Sequence, residues 1–366
     1  MITFVFFFSI LLWVFVNPQN RKSRNTYLFV VALMYFLIMG LRNEVIYGDT
    51  YSYVHYFKLI HQLSLSEVIE LWDKDLFFWI ITYFISRFTV GNYTMWLSLI
   101  SVLLIYPLAK LIQKYSVQPM CSFVLFVYLG LMFFCMAGLR QTVSISFILI
   151  GALALLDNTR TTKSKAIYYS VCVLIAYLFH GSSFVAILAL LFINRPLNKS
   201  SIVIYFVVLA ACFISGRYLM TNVIGYIGQF DERYLGYGEN MHGATLTYFI
   251  QQLILIAPSL IFLRRRYYDQ PIALLLHFSI IGLICVSLSP IIAEMFRLSY
   301  FFSWANMLLF SYTVQEMGRY NKYLPLVFMV IFVFLIVFVF KLDDYYFFFE
   351  NTSHISNHFD TSEYLL

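Results

Sequence analysis

The stretch Asp75 to Val90, DLFFWIITYFISRFTV, is apolar enough to pass for a membrane span, yet it holds Arg87 and only Gly91 and Asn92 separate it from the next apolar run. Whether it crosses decides the side on which everything after it lies. Composition supplies the frame: of 366 residues, 61% are apolar, 20% aromatic and 11% charged, where a soluble domain is about a quarter charged. A chain of this length cannot hide so much apolar surface in one water-soluble core. Soluble, disordered, collagenous and disulfide-scaffold classes are excluded.

Other apolar runs long enough for roughly 30 Å of hydrocarbon lie near 2–16, 27–41, 93–112, 120–137, 140–156, 166–180, 181–193, 201–216, 244–263, 271–289, 298–316 and 324–340. The fold expected is an all-α polytopic membrane protein, one transmembrane domain over 1–366 with about 12 transmembrane helices. Basic residues collect on the cytoplasmic side of such proteins. If 75–90 does not cross, alternate connections carry Arg21, Lys22 and Arg24; Lys110 and Lys114; Arg160, Lys163 and Lys165; Arg195 and Lys199; Arg264, Arg265 and Arg266; and Arg319 and Lys322. Those six short loops hold 15 of the 24 basic residues and three acids, Asp157, Asp269 and Glu316, and the other face keeps nine basic and fifteen acidic residues. Letting 75–90 cross breaks the pattern from Lys110 onward. The segment is therefore expected to lie flat in the outer interface, with SLSEVIELW (Ser64 to Trp72) as an amphipathic partner.

The same parity puts both termini outside. The first run has no basic residue before it and three after it, so it reads as a retained helix and not as a cleavable signal peptide. The longer outer segments are the loops 42–92 and 217–243 and the tail 341–366. The cytoplasmic loops are too short for a nucleotide-binding domain, and neither a GxxxxGK[ST] nor a strand-borne GxGxxG motif occurs. Cys121, Cys135, Cys172, Cys212 and Cys285 lie in apolar runs without metal-ligand spacing and read as core residues. The net charge of +6 follows from membrane topology, so no nucleic acid is expected as a partner.

Against the charge trend, the acidic outer face carries an arginine at the end of several helices: Arg42, Arg140, Arg217 and Arg297. Each alone is explained by snorkelling to lipid headgroups. Several on one side fit a bound anion, because guanidinium forks match phosphate oxygens and stay charged at any relevant pH. A lipid-linked diphosphate arriving from the membrane is the ligand such a set would hold. Acid–base candidates nearby are Asp49 in YGDTYSY, His180 in LFHGSS, His242 at the end of the second outer loop, and Glu294, three residues before Arg297. Local roles stand beside these: a turn or N-cap aspartate, a histidine on a helix-end carbonyl, a Glu294 to Arg297 pair.

Four stretches resemble one family: GLRNEVIYGDTYSYVHYF (Gly40 to Phe57), DLFFWIITYF (Asp75 to Phe84), GLRQTVSISFILIGALAL (Gly138 to Leu155) with YLFHGSSFVAIL (Tyr177 to Leu188), and FRLSYFFSWANMLL (Phe296 to Leu309). Together they resemble the EpsG-like, Wzy-type exopolysaccharide polymerases of the bacterial plasma membrane. The resemblance adds Gly48, Tyr53, Gln141 and Phe301 to the residues of interest. It implies a multi-pass glycosyltransferase of exopolysaccharide or capsule synthesis, with its active site on the outer face. The substrate implied is an undecaprenyl-diphosphate-linked oligosaccharide, and the partners are membrane lipids and a chain-length regulator or other polysaccharide-assembly proteins. Arg42, Arg140 and Arg297 would grip the diphosphate, and Asp49 or else His180 would take the proton of the attacking hydroxyl. Asp343 and Asp344 lie past the last span, away from the arginines, so neither a metal nor another cofactor is expected. The rival functions are a flippase or transporter of the same lipid-linked sugar, a ligase using the same donor, an acyltransferase and a membrane scaffold.

Overall fold

In hydrocarbon no water satisfies a free N–H or C=O, so a chain this apolar must close its backbone bonds within helices. The computed structural model describes residues 2–16, 20–46, 48–228, 246–289, 294–328 and 330, and among these it is all-helical. Two helices, α1 (Ile2–Val16) and α2 (Arg21–Gly40), precede three short ones, α3 (Gly48–Ile60), α4 (Leu65–Leu71) and α5 (Leu76–Phe88). Then come α6 (Tyr93–Tyr115), α7 (Pro119–Tyr128), α8 (Leu131–Ala137), α9 (Leu139–Leu155) and α10 (Thr162–Phe179). A 3₁₀ helix, Gly181–Phe192, leads to α11 (Lys199–Gly228), α12 (Leu246–Phe262), α13 (Ile272–Leu288) and α14 (Glu294–Tyr320). Starts are set by polar caps: Asn20 accepts from Ser23 N–H, Asn92 from Met95 N–H and Thr161 from Ser164 N–H. Ser64 and Glu67 form a capping box that starts α4.

Among the described residues, α2 and α6 are long and apolar enough to span a membrane, and the bent pair α7 and α8 makes a third candidate. Shorter apolar stretches of 10–17 described residues lie in α1, α5, α9, the 3₁₀ helix, α11, α12 and α13. The count of twelve crossings thus rests on the apolar runs of the sequence, and the last run, 324–340, extends beyond the described residues, as does the tail 341–366. Three expected elements differ in detail. The run 120–137 is two helices bent by 53°; 181–193 is a 3₁₀ helix; and α11 continues past residue 216 to Gly228, so the first part of the expected loop 217–243 is helical. The outer surface of α2, α6, α10 and α11 is apolar, with Phe29, Val102, Leu174 and Phe206 exposed. Inside, hydroxyls bond to carbonyls, as Ser144 to Ala176 O, Ser146 to Thr142 O and Ser101 to Leu97 O. Gly151 lets α10 approach α9 closely, since a Cβ there would stand 2.7 Å from the Tyr169 ring. An apolar outer surface, with the hydroxyls of a largely apolar interior satisfied by carbonyls, is the pattern of a membrane protein.

The bundle has two chemically distinct ends. At one, the six basic connections are tied in sequence: Arg24 donates to Ser116 O, Lys114 pairs with Asp157, Asn194 donates to Thr162 Oγ1, Leu197 N–H donates to Tyr267 O, and Arg266 pairs with Glu316. At the other end lie Leu41 after α2, the first turn of α9, and His180 after α10. Both ends of α5 belong to this second end: Asp75 meets Arg140 and Gly181, while Arg87 donates to Leu63 O and the chain turns at once into α6. The segment 75–90 therefore starts and finishes at the same end, as its charge parity predicts.

The break between α7 and α8 is made by Gly130, whose φ of +70° is costly for any residue with a Cβ. This break, and the end of α8 at Gly138, free carbonyls inside the bundle, and side chains take them up. Tyr248 donates to Leu129 O at 3.2 Å, and Thr142 to Cys135 O at 2.7 Å. Met136 O receives Arg42 Nη2 at 2.7 Å and Thr50 Oγ1 at 3.0 Å, while Arg42 Nη1 donates to Met39 O. Arg42, 1% exposed, thus bridges the carboxyl ends of α2 and α8, where helix dipoles favour a cation. Charged hydrogen bonds of this kind are worth about 1.5–3 kcal/mol each. Arg42→Met should lower the melting temperature of the detergent-solubilised protein by about 5 °C or more, and an unchanged melt would contradict the bridging role.

Candidate functional site

The second end of the bundle gathers polar groups from four elements. An aspartate at a helix N-cap ordinarily turns its carboxylate onto its own first turn. Asp75 does not, because it sits in the left-handed region at φ 53° and makes no cap bond to α5. Its side chain is 6% exposed and reaches across to the elements facing it. Oδ2 accepts from Arg140 Nη1 at 2.9 Å and from His180 Nδ1 at 3.0 Å, and Oδ1 accepts from Gly181 N–H at 3.2 Å, at the amino end of the 3₁₀ helix. Aspartate tolerates this backbone region better than most residues, and such strain persists where surroundings hold it.

Arg140, in the first turn of α9, also donates from Nε to the Tyr53 hydroxyl at 3.0 Å, and its guanidinium lies 5.9 Å from the ring centres of both Tyr53 and Trp79. Nη2 makes no hydrogen bond among the described residues. His180 ends α10 in extended conformation, and its Nε2 lies 2.9 Å from Gln141 Nε2. With Nδ1–H donating to Asp75, Nε2 keeps its lone pair and accepts from the Gln141 amide; the carboxylate partner sets the tautomer. The order of side-chain exposure, 6% for Asp75, 13% for His180 and 25% for Arg140, runs from the floor of the site to its mouth.

Burial alone would push the Asp75 carboxyl up. The hydrogen bond and charge of His180, then the charge of Arg140 and the Gly181 N–H, outweigh that and hold it below the usual carboxylate range. Burial pushes the Tyr53 hydroxyl up, partly offset by Arg140, so it stays a neutral acceptor. An aromatic wall closes one side: Tyr53 and Trp72 each stack on Trp79, at 6.1 and 5.0 Å, and Tyr56 meets both tryptophans edge-on. Among the described residues, the hydroxyls of Ser182 and Ser183, next along the chain from His180, and the indole N–H of Trp79 are buried without hydrogen-bond partners.

Of the residues singled out in the sequence, Tyr53, Arg140, Gln141 and His180 meet in this one network. Asp49 is exposed one turn before Tyr53 on α3 and near enough for its charge to act on Tyr53 and Arg140. Arg42 stands behind the site; it and Thr50 share Met136 O, which anchors the start of α3. Arg297 is exposed in the first turn of α14 at the same end, between Phe296 and Tyr300, which pack on Tyr248. No described contact joins it to the network. The side chains of Glu294 and Arg217, and His242 altogether, lie outside the described residues. No group of three or more His, Cys, Asp or Glu side chains able to hold a metal converges among the described residues.

The centre of the network, Asp75, was not among the residues expected to act. Its signal was an acid opening the amphipathic run DLFFW, on the face where four arginines stand against the charge trend. A model of the EpsG family matches residues 25–353, a span that contains every member of the network. The chain belongs to the EpsG family. That membership gives it an exopolysaccharide polymerase-type role in the membrane. Comparison with curated proteins and with solved structures returned no match.

Because Asp75 holds its proton less readily folded than unfolded, its contribution to stability is complete above the unfolded carboxylate pKa of about 3.9 and is lost as pH falls through the lower folded value. The melting-temperature difference between wild type and Asp75→Asn should shrink as pH falls below about pH 4. A difference that holds or grows below about pH 4 would contradict the charged state assigned to Asp75.

Proposed function

We propose that this EpsG-family chain is a polysaccharide polymerase acting on the outer face of the bacterial plasma membrane. It would transfer a growing glycan from undecaprenyl diphosphate to a sugar hydroxyl of the next lipid-linked repeat. One observation carries the reading: an aspartate-oriented histidine stands beside a partly exposed arginine, at the end of the bundle opposite the basic loops. Cytoplasmic loops are the basic ones in membrane proteins, which supports an outer location for the site.

The chemistry follows from the parts. His180, held by Asp75 through Nδ1, offers Nε2 as the base for the acceptor hydroxyl, which displaces the Gln141 amide as hydrogen-bond donor. The oxygen attacks the anomeric carbon, the bond to the diphosphate oxygen breaks, and the electron pair leaves on the diphosphate while the proton passes to Nε2. Arg140, through its open Nη2, meets the charge that develops on the leaving group, and Arg297 at the same end supplies a second cation. Arg42 supports the site from behind. Tyr53 and Trp72, partly exposed and backed by the buried Trp79, offer ring surface on which sugar rings pack. His180 thus becomes the first choice of base, with Asp49 second. No step in this reading is assigned to a metal ion.

Reconstitution of the purified protein with an undecaprenyl-diphosphate oligosaccharide tests the reading. A ladder of products is expected, with His180→Gln and Arg140→Lys each reducing turnover about 10²-fold or more while the protein still inserts. Single transfer to a different acceptor would make it a ligase, and movement of substrate across the bilayer without turnover a flippase. Either outcome overturns the polymerase.

A further inference from the structure

The far end of the bundle holds a second built feature, independent of the proposed reaction. A cavity of about 970 Å³ opens where the start of α2, the ends of α6 and α9 and the start of α10 meet. Five basic side chains line it, Arg21, Arg24, Lys110, Lys114 and Arg160, with one acid, Asp157. The acid is already committed: Lys114 pairs with it at 3.1 Å and Arg160 stands 3.7 Å away. Arg24 is committed too, donating to Ser116 O at the end of α6. Arg21 and Lys110 have no acidic partner among the described residues, and both are exposed. A charge rule that only sorts loops by side requires basic residues at this end; it does not require five of them, from α2, α6 and the connection between α9 and α10, around one cavity.

The cavity also continues sideways. A groove of about 310 Å³ runs along the outside of α2 and α6, sharing Asn25, Tyr106, Lys110 and Gln113 with the cavity. Beyond those shared residues its walls are apolar, among them Phe29, Ala32 and Leu33 of α2 and Val102 and Ile105 of α6. Several of these are exposed, Phe29 by 69%, on the surface that faces hydrocarbon in a membrane protein. One occupant matches both parts: an acyl chain in the groove and a negatively charged headgroup among the basic side chains. A free phosphate accounts for the cavity and leaves the groove unexplained.

We propose that this cavity and groove form a binding site for an anionic phospholipid, its phosphodiester held by Arg21 and Lys110 and an acyl chain laid between α2 and α6. Helices α9 and α10 run from this site to Arg140 and His180, about 25 Å away along α9, so a lipid seated here braces the helices that carry the network at the other end.

Native mass spectrometry of the full chain in detergent, titrated with phosphatidylglycerol or with phosphatidylcholine of the same acyl chains, tests this. Phosphatidylglycerol should bind more tightly. The double variant R21Q/K110Q should weaken its binding about thirty-fold, each basic side chain near an anionic headgroup being worth about a factor of five, and leave phosphatidylcholine unaffected. Ala32→Phe, which fills the groove, should weaken both lipids. Equal affinity for the two lipids, or unchanged phosphatidylglycerol binding in R21Q/K110Q, would overturn the proposal. Inorganic phosphate that raises the melting temperature as much as phosphatidylglycerol, regardless of Ala32→Phe, would show a phosphate site and overturn the lipid. If R21Q/K110Q does not fold, the two-lipid comparison and Ala32→Phe still decide the question.

Discussion

A carboxylate taken out of water must find positive or hydrogen-bonding partners, and in this molecule Asp75 finds all of its partners on other elements. Arg140 comes from α9, His180 from the end of α10 and the Gly181 N–H from the 3₁₀ helix that follows. Meeting that need fixes where the short helix α5 lies across the end of the bundle. Arg140 carries the constraint further, to Tyr53 on α3 and to the aromatic wall around Trp79. The same bonds that settle a buried charge set the tautomer of His180 and leave one edge of Arg140 open, which is what a transfer reaction with a charged leaving group needs.

A second constraint is the backbone itself. Breaking a helix at Gly130 and ending the next at Gly138, inside an apolar bundle, exposes carbonyls that the surroundings cannot solvate; Tyr248 answers at the first break, and Arg42, Thr50 and Thr142 at the second. The arginines at this end therefore divide by environment. Arg42 is enclosed by helix-end carbonyls, Arg140 is shared between an acid and an opening, and Arg297 is exposed. Residue type alone made them equivalent; burial separates them.

Much of this was legible in the sequence, and the reason is the scarcity of charge. With so few charged residues, their alternation along the chain was enough to keep 75–90 at one end, where α5 begins and ends, and to collect the six basic loops that hydrogen bonds and ion pairs now tie together. Arg140 and His180 were found because each stands as a polar group at an apolar boundary, and Tyr53 and Gln141 through the resemblance to the family. Asp75 escaped because an aspartate before a helix has an ordinary explanation as a cap, and only its left-handed backbone, invisible in sequence, turns it away from that role. The bend at Gly130, the 3₁₀ form of 181–192 and the extension of α11 to Gly228 escaped for a related reason: apolar periodicity marks a helix without recording its pitch or its continuity.

The central claim is that Asp75 and His180 act as one unit. Turnover of Asp75→Asn, His180→Gln and the double variant in the same reconstituted assay tests it most directly. Residues that work together are strongly non-additive, so the account predicts a double variant no slower than the slower single variant. Losses that multiply would show two independent groups and contradict it.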